Sequence, residues 1–403
     1  MQVLLAHPGT QHSHRLAREL ERHGLLGEFW TGLAFHDAGA AAALARGLGA
    51  LPGLGGLDSR IVHGVPGARL HSLPIGELRA LWRLRRGAES HAVLHARNEK
   101  FQQAVPEASL ARCGAAIGFD TSGWILAERC RRIGRPFYLD RSIAHPAALA
   151  RIMRNLELKY PDWAGPRTTR PAGLILAEQI EHDLAHRIVV GGSFARDTLV
   201  AEGIDPAKIR VNPYGVDWDR FAVPGDPASA GRPPRFLFAG SVTARKGVPA
   251  LLDAWRALAP RDAELWLAGN VGARERALLP SLPGLRVLGQ VPHAAMAGVY
   301  AQCDALVLPS LFEGFGLVIL EALAAGLPVI STPHTGAADL AAGEPICSLV
   351  EAGSVEGLVR AMRRYLEAPP ARSAVSAAAA ALRGTFSWQA YGDRWAALLR
   401  EAL

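Results

Sequence analysis

Cysteine is scarce in this chain of 403 residues: the four present, Cys113, Cys130, Cys303 and Cys347, are scattered and form no C-x-x-C pair. That excludes a disulfide framework and a thiolate zinc site, and predicts reduced, mostly buried thiols in a cytosolic protein. Lysine is nearly absent as well, occurring only as Lys100, Lys159, Lys208 and Lys246, so arginine carries almost all of the positive charge behind the formal net +7. Aromatic residues are 7% of the chain and are not interleaved with the arginines. A stacking groove for nucleic acid is therefore not expected. No uninterrupted apolar run reaches the roughly 18 to 20 residues that a membrane span needs. The opening stretch "MQVLLAHPGTQHSHR" has no basic start and soon turns polar. It reads as a first strand rather than a secretory signal. No internal repeat is visible.

What is present is an alternation of short apolar runs with helical stretches, the pattern of parallel α/β sheets. The length exceeds what one hydrophobic core usually supports, which predicts two domains. In the first half the candidate strands are Gln2 to Ala6, Ala115 to Phe119, Pro136 to Asp140 and Arg187 to Val190, with helical patterns such as Gln11 to His23 and Ser122 to Ile133. Residues Ala38 to Gly67, rich in Gly, Ala and Pro, read as loops with a short helix at most. "AVPGDPASAGRPP", Ala222 to Pro234, reads as the linker. A second series follows, with strands at Arg235 to Ala239, Glu264 to Ala268, Leu285 to Leu288, Ala305 to Leu308, Pro328 to Ser331 and Ile346 to Leu349. The predicted division is 1–218, 219–385 and a terminal helix, 386–403.

Two loops of the second series are suited to an anion. In "FLFAGSVTARKGVPALLDAW", Gly240 and Ser241 let the backbone approach a ligand, and Arg245 and Lys246 sit at the following helix start. The dipole disfavours cations there, so a bound diphosphate would resolve the conflict; a pair of solvated charges is the plainer reading. In "LFEGFGLVILEALAAGLPVIS", Glu313 lies on a strand-to-helix loop punctuated by Gly314 and Gly316, and Glu321 lies about one turn into the helix. Glu321 can accept both hydroxyls of a ribose. Glu313 can accept sugar hydroxyls, with the N–H groups of Phe315 and Gly316 as donors. Base contacts are expected mostly from backbone, near Gln290 to Pro292. The densest basic stretch, Glu77 to Lys100, reads either as a pair of amphipathic surface helices or as a contact with an anionic surface.

Taken together, "FAGSVTARKGVPALLDAW", "HRIVVGGSFARDTLVAEGIDPAKIRVNPYGVDWDRF" and "LGQVPHAAMAGVYAQCDALVLPSLFEGFGLVILEALAAGLPVISTPHTGAADL" resemble the retaining glycosyltransferase family 4, the glycosyl transferases group 1. The resemblance is strong over about residues 181 to 345. Its hallmark is two glutamates with seven residues between them, here Glu313 and Glu321, and its "pNGvD" element appears as Pro213-Tyr214-Gly215-Val216-Asp217. The resemblance implies a GT-B fold: two Rossmann-like domains face a central cleft, and the terminal helix crosses back to the first domain. It also implies a retaining hexosyltransferase that moves sugar from a nucleotide diphosphate sugar to an acceptor hydroxyl, without a metal or other cofactor.

By that resemblance Arg245 and Lys246 hold the diphosphate, Glu321 the ribose, and Glu313 with Gly314, Phe315 and Gly316 the sugar, with Gly240 in the donor loop. Gly9 matches the loop after the first strand; the family usually has a Gly pair there, whereas this chain reads His7-Pro8-Gly9-Thr10-Gln11-His12. A metal held by His7, His12 and His14 is the weaker reading against cleft-lining or surface histidines. Many relatives place a histidine after a first-domain strand; here Asp140 ends that strand and His145 lies five residues on, so either can face the transferred sugar. The plainer readings are an ion pair with Arg141 or a helix cap for Asp140, and a cap or cleft wall for His145. Asp120 is a further cleft candidate. Expected partners are the donor and a glycan, lipid-linked or small-molecule acceptor, with a cytoplasmic location, peripheral at the inner membrane face if the basic stretch binds lipid. A nucleotide-sugar epimerase or phosphorylase of the same fold, or a non-catalytic nucleotide-sugar-binding subunit, are the alternatives.

Overall fold

The computed structural model of the protein describes residues 2–49, 57–165, 170–223, 231–340 and 346–401. Its first sheet takes β1 (Val3–His7), β2 (Leu26–Thr31), β5 (Leu70–Ser72), β6 (Ala115–Phe119), β7 (Phe137–Arg141), β8 (Arg187–Val190) and β9 (Ile209–Val211). A separate parallel pair is formed by β3 (Phe35–His36) and β4 (Ile61–Val62). The second sheet takes β10 (Arg235–Ala239), β11 (Glu264–Ala268), β12 (Leu285–Gly289), β13 (Ala305–Leu308), β14 (Val329–Ser331) and β15 (Cys347–Leu349).

Both large sheets are parallel throughout, ordered β5-β2-β1-β6-β7-β8-β9 and β12-β11-β10-β13-β14-β15. Crossover helices cover both faces of such sheets, so inner strands are apolar without alternation. Every residue of β1, β6 and β7 is buried accordingly. The four cysteines are free and buried. Burial pushes the thiols up, Cys113 to about 11 and Cys130, Cys303 and Cys347 to about 12.

All six strands read in the second half are present with ends shifted by a residue at most. In the first half β2, β5 and β9 and the β3–β4 pair are additions to the sequence reading. Within Ala38 to Gly67 a helix spans Ala40–Gly49, while 50–56 lie outside the described residues. So do 224–230 of the linker between β9 and β10.

Strand order reverses between β1 and β6 and between β10 and β13. Crevices therefore open at the carboxyl ends of those strands, and the sequence-predicted site residues follow one of them or the adjacent β7, except Asp140, which lies within β7. The terminal helix, Trp388–Glu401, leaves the second sheet and packs on the helix Ser13–Arg22 of the first domain. Arg22 bonds Asp393 there (2.5 Å). The outward and returning crossings are laced together. Val216 N and Trp218 Nε1 both donate to the Phe386 carbonyl (3.1 and 3.0 Å). Arg394 reaches Asn212 Oδ1 (2.6 Å) and the Pro213 carbonyl (2.7 Å). The "pNGvD" element is thus the outward half of this seam.

Candidate active site

A cleft of about 350 Å³ lies between the two domains. Gln11, His12, Arg15 and Ser142 line it from the first domain, and His293, Leu317 and Glu321 from the second. Tyr214 to Asp217 and Trp388, from the two crossings, close one side.

On the second-domain side, β10 runs into the loop carrying Gly240 and then a 3-10 turn, Ala244–Lys246. Arg245 and Lys246 therefore precede the helix Val248–Leu258 by one short turn rather than opening it. Gly247, between the two, has φ +75°, and a Cβ there would collide with the Pro309 carbonyl. This close approach brings the cations onto the loop that follows β13. Lys246 Nζ pairs with Glu313 Oε1, which also accepts from Ser310 Oγ (3.1 Å). Arg245 Nη1 donates to the Phe312 carbonyl (2.5 Å) and stands 3.5 Å from Glu313 Oε1. Burial lowers the Lys246 pKa, opposed by Glu313. The ammonium has thus already given up most of its water.

Glu321 falls in the first turn of the helix Val318–Ala324, as read, and is held by Tyr300 and His293. Tyr300 donates to Oε2 (2.8 Å) and His293 Nε2 is 3.3 Å from Oε1. Burial and the adjacent Glu321 push the Tyr300 phenol well above its ordinary value, so it remains a donor. Phe315 packs into the core beside Tyr214 and Phe386, with ring centroids 5.9 and 6.1 Å away. Gly314 meets the first domain: a Cβ there would collide with the Ser142 carbonyl. The loop after β7 and the loop after β13 are in contact at that point.

On the first-domain side, Asp140 is only 1% exposed and does not line the cleft. Its Oδ1 is 3.0 Å from His12 Nε2, and Oδ2 accepts from Tyr391 of the terminal helix (2.8 Å). Neither plainer reading holds: Arg141, the next residue along β7, pairs instead with Glu178 (3.3 Å). Adjacent strand residues point to opposite faces. His145 caps the helix Pro146–Lys159, its Nδ1 accepting from Ala147 N (3.2 Å), and it is outside the cleft lining. Gly9 lies over the His7 ring. His7, His12 and His14 turn to separate partners: Ser122 (3.3 Å), Asp140, and the Phe29 ring at 5.7 Å. Among the described residues no group of three His, Cys, Asp or Glu could hold a metal ion.

A second pocket, of about 210 Å³, sits behind the loop after β7, lined by Asp120, Arg141, His91, His95, Glu178 and Phe312 among others. Asp120 Oδ1 holds that loop through Ser142 N (2.9 Å) and Oγ (2.7 Å). The turn after Asp120 is in turn fixed by Glu181, which accepts from Thr121 N (2.9 Å) and Gly123 N (2.7 Å). Thr121 is held at φ +63°, a strained conformation for a β-branched residue.

Burial raises the Glu181 carboxyl from 4.5 to about 8, against the two N–H bonds. A carboxyl raised on folding stabilises the fold fully below its unfolded pKa and loses that contribution as pH rises through the folded one. Melting temperature should therefore fall between about pH 4.5 and 8. The fall should be flatter in Glu181→Gln, whose baseline is lower because one N–H loses its acceptor. Equal slopes in a melting series would contradict this.

A family model described as glycosyl transferases group 1 matches residues 233–368. The chain is 30% identical over 293 residues to a D-inositol 3-phosphate glycosyltransferase of Rhodococcus jostii; the match covers 67% of this chain and 62% of that relative. Less than two thirds of that relative's length is thus spanned. Over 100% of this chain and 99% of the other, the structure resembles a sucrose-phosphate synthase from Thermosynechococcus elongatus, with a TM-score of 0.67 and 18% identity. It also resembles the Anabaena HepE protein solved in complex with UDP-glucose, over 100% of both chains, with a TM-score of 0.64 and 16% identity. At these identities the likenesses speak for the fold.

Proposed function

Because the chain belongs to the glycosyl transferases group 1 family and has the two-domain GT-B fold, we propose that it transfers a sugar from a nucleotide diphosphate sugar to an acceptor hydroxyl. One observation carries this reading. Arg245 and Lys246 from the loop after β10 and Glu313 from the loop after β13 meet at one point, with Glu321 on the cleft wall opposite His12 and Arg15. Such an arrangement suits a diphosphate at the two cations, a ribose at Glu321 and the transferred sugar at Glu313. Among the described residues Glu321 Oε1 has only the long His293 contact, which leaves it able to accept ribose hydroxyls. The donor diphosphate must draw Lys246 away from Glu313, and Glu313 is then released toward the sugar. The neighbour bound to UDP-glucose makes that donor the first to try.

The acceptor belongs, in this reading, to the second pocket. It opens behind the Ser142–Gly314 contact, and the Arg141 Nε within it is buried without a hydrogen-bond partner among the described residues. A guanidinium so placed favours a small acceptor with an anionic group. The curated relative's name points the same way.

Retention without a metal is the stereochemistry we propose. Asp140, the strand-end carboxylate an inverting enzyme would need as base, is buried, with Oδ2 bonded to Tyr391 and Oδ1 3.0 Å from His12. Arg245 and Lys246 are placed to stabilise the departing diphosphate without a metal. Proton NMR of the first product made from an α-linked donor with EDTA present should give the α-linkage at undiminished rate. A β-linked product would overturn retention, and loss of activity with EDTA would overturn metal independence. Formation of an epimeric sugar, rather than simple hydrolysis, with no acceptor present would favour an epimerase.

A peripheral lipid contact is proposed for the helix Pro74–Arg85. Its Ile75, Leu78 and Trp82 are 65%, 51% and 56% exposed, beside exposed Arg79, Arg83, Arg85 and Arg86. The Arg86 guanidinium lies 4.1 Å over the Trp82 ring. Apolar side chains among arginines suit an anionic headgroup layer. Among the described residues no helix is long and apolar enough to cross a membrane. The protein should sediment with anionic vesicles at low salt and less so as Trp82→Ala; indifference to lipid charge would leave only a surface helix.

A further inference from the structure

His12 sits at the entrance of the helix Ser13–Arg22 yet makes no capping hydrogen bond to it. Its ring is instead clamped from three sides. Tyr214, Phe119 and Tyr391 stand with ring centroids at 4.5, 5.1 and 6.0 Å. Nε2 faces the buried Asp140 carboxylate at 3.0 Å, and that carboxylate accepts from the Tyr391 hydroxyl on its other oxygen. Four residues from distant parts of the chain, Phe119, Asp140, Tyr214 and Tyr391, thus end on one imidazole. The imidazole lies in the cleft wall, with Ser142 beside it and Glu321 across from it.

A carboxylate against one ring nitrogen selects the tautomer. With the proton on Nε2, the nitrogen 3.0 Å from Asp140 although outside hydrogen-bond geometry, Nδ1 carries the lone pair. Asp140 itself is too deep to touch a ligand, and His145 is turned to its own helix cap. The first domain therefore offers His12, rather than either residue singled out from sequence, to whatever lies against Glu313 and Glu321.

We propose that His12 is a catalytic residue of the first domain, its Nδ1 accepting a hydrogen bond from a hydroxyl of the sugar being transferred, with Asp140 and Tyr391 as positioning residues. The contact orients the sugar over the diphosphate and, by drawing on the hydroxyl proton, leaves that oxygen richer in electrons as positive charge develops at the anomeric carbon. No proton leaves the sugar. Tyr391 makes the terminal helix part of the site: its hydroxyl fixes Asp140, Asp140 fixes the ring, and the ring meets the sugar. This inference rests on the reading of the cleft as a sugar-transfer site.

The test compares His12→Ala, His12→Asn and Tyr391→Phe in the full chain, with UDP-glucose and UDP as probes. In His12→Ala, kcat for transfer and for acceptor-free donor hydrolysis should both fall, by roughly a hundredfold as for loss of one preorganised polar group. UDP binding by calorimetry should change less than about threefold, which corresponds to under 1 kcal/mol. His12→Asn, which keeps an acceptor near the Nδ1 position, should recover part of the rate. Tyr391→Phe should lower kcat with little change in KM, a split that mere destabilisation would not produce. Parental kcat in His12→Ala, or transfer lost with hydrolysis spared, would overturn the inference alone. A parent protein that neither binds nor turns over any of a set of UDP-, GDP- and ADP-sugars would overturn it together with the reading beneath it.

Discussion

Lys246→Ala is expected to abolish nearly all transfer while leaving the protein folded. Two effects add. The ammonium is placed where a diphosphate must sit to reach Glu313, and removing a charge-assisted contact costs about 1.5 to 3 kcal/mol in binding. Loss of a preorganised charge at a leaving group slows the chemical step by roughly 10²- to 10³-fold. Lys246 suits that task because burial has already stripped most of its water, so little hydration is lost when the phosphate arrives. Stability should drop only modestly. Glu313 keeps Ser310 Oγ at 3.1 Å and Arg245 at 3.5 Å, so its carboxylate is not left alone. Steady-state rates and calorimetry with the nucleotide diphosphate measure both parts, and a folded variant with parental kcat would sink the assignment.

Glu321→Ala and Glu313→Ala should fail in opposite ways. Ribose is common to free nucleotide and nucleotide sugar, so Glu321→Ala should weaken both, by about 1.5 to 3 kcal/mol for a charged acceptor. It also strands the buried Tyr300 hydroxyl, at about 1 to 3 kcal/mol of stability. Glu313→Ala should collapse turnover and yet leave free nucleotide binding unchanged or tighter. The reason is the Lys246–Glu313 pair: without the glutamate, the ammonium no longer has to be drawn off before it meets phosphate. Equal loss of nucleotide affinity in the two variants would refute the division of roles.

Legibility followed locality. Most strands of the second sheet could be read because they are mainly apolar runs between turn signals, as β10, β11 and β13 are. β2, "LGEFWT", could not, since a glycine and a glutamate interrupt it, and only its pairing with β1 and β5 holds it. β5 and β9 are three-residue strands at sheet edges, too short for any period to register. In the site, the Glu313 and Glu321 loop was legible because its glycines, strand and helix are contiguous. The supports were not: Tyr300 and His293 reach Glu321 from 21 and 28 residues upstream. Asp140 was legible as a strand-end carboxylate, but not that it is buried out of the cleft lining, because its partners, His12 and Tyr391, come from opposite ends of the chain. A motif shows the ligand-facing residue and hides the one that holds it.

The union of Tyr391 with Asp140 also sets an order of events during biosynthesis. Tyr391 is 251 residues behind Asp140 in the chain. At about 5 to 20 residues per second, the first domain waits roughly 10 to 50 s for it on the ribosome. In that interval its sheet can be fully paired, but the Asp140 oxygen that Tyr391 will occupy has no phenol to meet. The surface of Ser13–Arg22 that the last helix will cover is bare as well. The nascent first domain is therefore held one helix short of completion until the second domain has been made, so a released fragment lacking that helix would fold around an unfinished cleft wall.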